Sequence, residues 1–204
     1  EKVILVRKRL PVTLVDGNPT GSFFERAAGF TALALSPTNA LVQGSRSKTS
    51  YLMDPEVITA PDIAKLRDID PQSVIVLADV SRLPASVAKN LASFVANGGG
   101  LLILTGKRAD ASFYNAWEGA DGSVLPVTLG KVQLERDGIS PAPDTFDHSM
   151  LRLFSDEKKS DLSTSSISIF RQVDEENSAR YVAARYSNGS PFIAAKSYGQ
   201  GRVV

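Results

Sequence analysis

Val74-Ile75-Val76-Leu77-Ala78-Asp79, then residues 84–97, then Gly98-Gly99-Gly100, then Leu101-Leu102-Ile103-Leu104-Thr105-Gly106: this succession decides the fold. The first and last runs are continuously apolar and short, as strands buried on both faces are. Between them Val87, Leu91, Phe94 and Val95 fall on one helical stripe, Pro84 suits a first turn, and Gly98 suits the left-handed position just past a helix end. A strand–helix–strand unit with doubly buried strands requires helices on both sides of a parallel sheet.

Working outward, Val12-Thr13-Leu14-Val15-Asp16 reads as a further buried strand, set off by Pro11 from residues 1–10, a linker or edge strand. Gly17-Asn18-Pro19-Thr20-Gly21 is a turn. Residues 23–35 predict a helix with Phe23, Ala27, Phe30 and Ala34 on its packed face. Residues 51–58 predict a strand interrupted near Pro55, and Thr59-Ala60-Pro61-Asp62 a capped helix start. Residues 107–170 read as an irregular insertion, with an aromatic cluster at Phe113, Tyr114 and Trp117 and a loop over 137–147. Residues 180–204 close the chain: Asn188-Gly189 sits between strand-like runs, a strong hairpin signal, and Gly199-Gln200-Gly201 leads into a final strand. The expected architecture is one α/β domain over 1–204, an open doubly wound, mostly parallel sheet with a C-terminal β-hairpin extension.

Composition narrows the chemistry. The 204 residues are 43% hydrophobic and carry 23 basic and 22 acidic side chains, an even balance that offers no field for nucleic acid. There is no cysteine, so disulfides, thiolate metal sites and a thiol nucleophile are excluded. No apolar run approaches the roughly 18 residues that span a bilayer, so this segment is not expected to insert directly. The chain runs from Glu1 to Arg202-Val203-Val204, and both ends are expected to be cuts in a longer protein.

Sites in such sheets lie at the carboxyl ends of the strands, which nominates Asp16, Gly17 and Asn18, Asp79, and Thr105, Gly106 and Lys107. Asp16, Asn18 and Thr20 place oxygens at alternate positions and resemble the D-x-S-x-S magnesium loop of von Willebrand factor A domains, with Asn for the first Ser. The ordinary role for these residues is a strand-end turn. Gly17, Gly21 and Ser22 before a helix could cradle a phosphate, but match neither nucleotide-binding fingerprint. Asp79 is a candidate ligand or base, or a cap for the helix that follows. Lys107 is a candidate anion contact. His148, the only histidine, stands beside Asp147 as a dyad would, but no G-x-S-x-G elbow supplies a serine.

Five segments resemble the class I glutamine amidotransferase-like fold, closest to the domains embedded in BatA/aerotolerance-related bacterial membrane proteins. They are Leu14-Val15-Asp16-Gly17-Asn18-Pro19, Val76-Leu77-Ala78-Asp79-Val80, Phe94-Val95-Ala96-Asn97-Gly98-Gly99-Gly100, Leu125-Pro126-Val127-Thr128-Leu129-Gly130 and Tyr198-Gly199-Gln200-Gly201-Arg202-Val203-Val204. The resemblance implies a flavodoxin/amidotransferase-like sheet and an extracytoplasmic place in a membrane-anchored bacterial protein. True amidotransferases carry a cysteine after the strand that here is 101–104 and a His-x-Glu pair. This chain has Thr105-Gly106-Lys107 and Asp147-His148-Ser149-Met150 instead, so no thioester route exists.

The expected function is a non-catalytic amidotransferase-like module for protein interaction or ligand sensing. Its partners would be other domains of the parent or a separate protein, and no cofactor is expected. The alternatives are a hydrolase or sugar-modifying enzyme of a ThuA-like branch using Asp16, Asp79 or His148, and a magnesium-dependent adhesion-type module. An interaction module predicts a filled or shallow crevice and an exposed apolar patch, for which Phe113, Tyr114 and Trp117 are candidates.

Overall fold

The computed structural model describes residues 9–37, 52–66, 69–146, 148–154, 161–176 and 178–204. In chain order the strands are β1 (Leu10–Asp16), β2 (Met53–Thr59), β3 (Val74–Ala78), β4 (Gly100–Leu104), β5 (Glu118–Gly119), β6 (Gly122–Ser123), β7 (Thr128–Ile139), β8 (Pro141–Ala142), β9 (Ile167–Asp174), β10 (Val182–Tyr186), β11 (Pro191–Ala194), β12 (Lys196–Tyr198) and β13 (Gly201–Val203). The helices are α1 (Ala27–Leu35), α2 (Ala85–Ala96) and α3 (Ala111–Asn115).

The central sheet has six strands in the order β2-β1-β3-β4-β13-β12. All neighbouring pairs are parallel except β12–β13. Side chains alternate across it as the pleat dictates. Val15, Ile75 and Leu77 pack with Leu91, Val95 and Trp117 beside α2. Val12, Leu14 and Val76 pack with Ala32 of α1 on the other face. The sheet is thus covered on both sides, which is why 74–78 and 101–104 contain no polar residue. The predicted stripe Val87, Leu91, Phe94 and Val95 is buried. At the end of α2, Gly98 (φ 113°) donates to Val95 O and Gly99 to Phe94 O, a Schellman closure.

The rest of the cover departs from the expected winding. Helix content is low: a 3-10 stretch, Ala60–Lys65, stands between β2 and β3. Thr59 takes its N-cap position as expected, but the hydroxyl donates to Asp62 Oδ2 at 2.8 Å and makes no capping bond to a backbone N–H. α1 packs through Ala28, Gly29 and Ala32, whereas Phe30 of the predicted face is 55% exposed. Small side chains let the helix lie close to the sheet, and the periodicity did not reveal that preference. β1 runs through Pro11 and does not begin after it, and β2 is unbroken at Pro55 because an edge strand can spare that N–H. Residues 1–8 and 155–160 lie outside the described set, as does Asp147.

The segment expected to be irregular holds a 12-residue strand, β7, paired antiparallel with β9. The expected 137–147 loop therefore starts inside a strand. The hairpin at Asn188-Gly189 forms as read, with Tyr186 N donating to Ser190 O at 2.8 Å. Its strands join β8 in a separate three-stranded sheet whose small core contains Phe146, Leu151, Ala183 and Ala184. Tyr114 and Trp117 are core residues, 0% and 4% exposed, and form no surface patch. Burial is affordable because Tyr114 Oη donates to Val80 O at 2.8 Å and Trp117 Nε1 to Ala88 O at 3.1 Å. Among the described residues, no helix is long and apolar enough to cross a membrane.

Candidate functional site

Parallel strands leave their carboxyl ends on one edge, and the strand order reverses between β1 and β3. A cavity of about 390 Å³ opens there. It brings together Asp16, Asn18, Asp79, Thr105 and Gly106 from the nominated residues. Gly17 supports it from behind, where a β-carbon would lie 2.0 Å from Asp79 O. Lys107 is exposed and does not line it. His148 lies elsewhere: its Nδ1 accepts from Met150 N at 3.3 Å and caps the 3-10 turn Ser149–Leu151. The Asp147–His148 dyad involves a residue outside the described set.

Asp16 is 1% exposed. Its Oδ1 accepts from Asn18 N at 3.0 Å, and Arg26 Nη1 donates to Oδ2 at 2.8 Å. A buried carboxylate needs such pairing, since desolvation of a lone charge costs several kcal/mol. The guanidinium stands where a divalent cation bound to Asp16 would compete for the same oxygen, so this geometry disfavours the magnesium-loop arrangement. Thr20 Oγ1 donates to Asn18 Oδ1 at 3.2 Å, which makes the loop a self-bonded turn.

Asp79 has φ 51°, the one positive value for a non-glycine among the described residues. Aspartate tolerates this left-handed region better than most side chains. It does not cap α2, whose N-cap is Pro84. Its N–H donates to Leu104 O at 3.0 Å, and its Oδ1 accepts from Arg108 N at 2.9 Å. Asp79 therefore ties the turn after β4 to the end of β3. The negative charge of Asp79 also acts on Tyr114: burial first, and that charge second, push the phenol well above its usual range.

The opposite wall comes from the small sheet. Tyr186 and Phe192 line the cavity, with ring centroids 4.9 Å apart. Burial raises the Tyr186 phenol. Arg171 of β9 fastens the neighbouring ribbon, donating to Gly106 O at 3.0 Å, Ala109 O at 2.9 Å and Gly130 O at 2.9 Å. The sequence reading missed Glu25, Arg26, Tyr186 and Phe192. Ser22-x-x-Glu25 carried a readable signal: it forms a capping box, in which Glu25 Oε2 accepts from Ser22 N at 3.0 Å. The aromatic pair had no local signal, because it reaches the crevice only by tertiary docking.

Chemically, the crevice offers carboxylate, amide, hydroxyl and guanidinium groups opposite two rings. Thr105, its one aliphatic hydroxyl, is hydrogen-bonded to no side chain among the described residues. No cluster of three or more His, Cys, Asp or Glu suited to a metal occurs among them either. No protein-family model matches the chain, and no curated protein matches it.

Proposed function

We propose that this is a non-catalytic amidotransferase-like module for protein interaction or ligand sensing within a membrane-anchored bacterial protein. The observation that carries the reading is the employment of both strand-end carboxylates. Asp16 is spent on Arg26 and the Asn18 amide, and one oxygen of Asp79 on the Arg108 amide, so each carboxylate holds a loop in place. The strand order β2-β1-β3-β4-β13 is compatible with the flavodoxin-like winding that the resemblance implies. The position that holds a thiol in amidotransferases falls at Thr105-Gly106-Lys107, which supplies no thiolate. Fold likeness without the reacting group supports binding and not the reaction.

The test is titration of this domain with the remaining segments of its parent protein by calorimetry. Saturable, metal-independent binding without turnover is the expected outcome. Hydrolytic turnover that disappears in Asp79→Asn or His148→Ala would replace the module with an enzyme.

A further inference from the structure

We infer that the crevice between Asp79 and the Tyr186–Phe192 pair is a binding site for an uncharged polyhydroxylated ring, a sugar in pyranose form. The inference rests on the ligand-sensing reading and names its ligand class. Its volume, about 390 Å³, falls in the range of about 300–1,000 Å³ typical of small-molecule sites.

Three features select this chemistry. First, the polar wall alternates acceptors and donors. Asp79 Oδ1 is taken by Arg108 N, and no described residue donates to Oδ2; Asn18 Oδ1 accepts from Thr20, and its amide donors have no partner among the described residues. Vicinal hydroxyls donate to the first and accept from the second, and hydroxyls serve both roles where an ammonium or a phosphate serves one. Second, the charge pattern rejects anions. Asp16, Glu25 and Asp79 line the crevice with one base, Arg26, which is paired with Asp16, while Arg108 reaches to 3.4 Å from Asn18 and the exposed Lys107 adjoins Gly106 outside the lining. The surplus acids disfavour an anionic ligand, and the two bases at the rim moderate the pull on a cation. Third, the facing wall is aromatic. Phe170, Tyr186 and Phe192 form a chain of rings with centroids 5.4 and 4.9 Å apart, and Tyr186 and Phe192 present themselves to the cavity. The electron-rich ring face attracts the C–H face of a pyranose while its hydroxyls turn to the polar wall.

The experiment is saturation-transfer NMR on the wild-type chain with methyl glucoside, methyl galactoside, methyl mannoside and N-acetylglucosamine as neutral probes, and glucosamine and glucuronate as charged ones. At least one neutral pyranoside should bind saturably. Asp79→Asn, which keeps the left-handed backbone and the Arg108 contact, should weaken it about tenfold by removing a charge-assisted bond. Phe192→Leu should weaken it to a similar extent, with near-UV circular dichroism reporting that both variants remain folded. Absence of binding by every neutral probe up to tens of millimolar overturns the inference, as does binding of a charged probe alone or binding unaffected by either variant. If the sugars fail while parent segments still bind, the module stands and only the sugar is lost. If a sugar is bound and chemically altered, the ligand class stands and the non-catalytic reading falls.

Discussion

The carboxylate of Asp79 occupies the space that a side chain at position 106 would need. A β-carbon on Gly106 would lie 2.4 Å from Asp79 Oδ1, and one on Gly17 would lie 2.0 Å from Asp79 O. Two glycines from different loops thus clamp one strained residue, and the two clashes differ in kind. A carboxylate can rotate away, whereas a backbone carbonyl cannot.

Gly17→Ala should therefore cost more than Gly106→Ala. For Gly106→Ala the expected loss is about 1–3 kcal/mol, the usual range for overpacking, with the Asp79–Arg108 bond sacrificed. In an Asp79→Gly background Gly106→Ala should cost much less, while Gly17→Ala remains severe. Urea denaturation of the two single glycine variants against wild type, and of the two double variants against Asp79→Gly, checks the ordering.

At position 79 itself the backbone sets the tolerance. Asn adopts positive φ readily, so Asp79→Asn should stay within about 1 kcal/mol of wild type. Asp79→Val should lose about 1–2 kcal/mol more, because a β-branched side chain is strained at φ 51°. Thermal melts of both proteins measure the difference.

Arg26 is the counter-ion of a nearly inaccessible acid. Arg26→Met leaves Asp16 buried and unpaired, at an expected cost of about 3–5 kcal/mol. Adding Asp16→Asn should recover part of that loss by removing the stranded charge. A double-mutant cycle in denaturant reads the coupling, and strict additivity would show that the 2.8 Å contact is energetically idle.

Acid should loosen the small sheet before the central one. Arg185 grips Glu175 through contacts of 2.9 and 2.6 Å, and this hydrogen bonding holds the Glu175 carboxyl below its usual 4.5. A carboxyl whose pKa is lowered by folding adds stability that is complete above the unfolded value and is lost as pH falls through the folded one. The hairpin carrying Tyr186 and Phe192 should thus lose protection below about pH 4.5, an effect absent in Glu175→Gln. Hydrogen exchange at residues 182–194 across pH 3–6 tests it.

Arg171 joins the β7–β9 ribbon to the turn that meets Asp79. Lysine cannot reproduce a fork that serves three carbonyls. Arg171→Lys should speed amide exchange at Arg108 and through β7 while β3 and β4 remain protected. Unchanged exchange at Arg108 would show that the turn holds itself.

What could be read in advance followed burial. Ile75, Val76, Leu77 and Leu101 had to be strand core, and Val87, Leu91, Phe94 and Val95 had to face them, because no polar residue interrupts the one pattern and a polar face flanks the other. The α1 face misled because Ala28 and Ala32 pack by being small, which no hydropathy pattern registers. β7 was missed because Leu134 and Val132 are 66% and 42% exposed and are interspersed with charges, so its alternation signals no core.

The sequence alone determined a parallel, doubly buried sheet, and it excluded thiol chemistry by having no sulfur nucleophile, since both follow from which residue types are present and how they repeat. Tertiary structure alone decided that Asp16 would be spent on Arg26, that Asp79 would be held by a turn 29 residues away, and that Tyr186 and Phe192 would close the crevice. Periodicity reports which way a side chain faces within its own element. The partner it meets is set by how separate elements dock, and that information is spread across the whole chain.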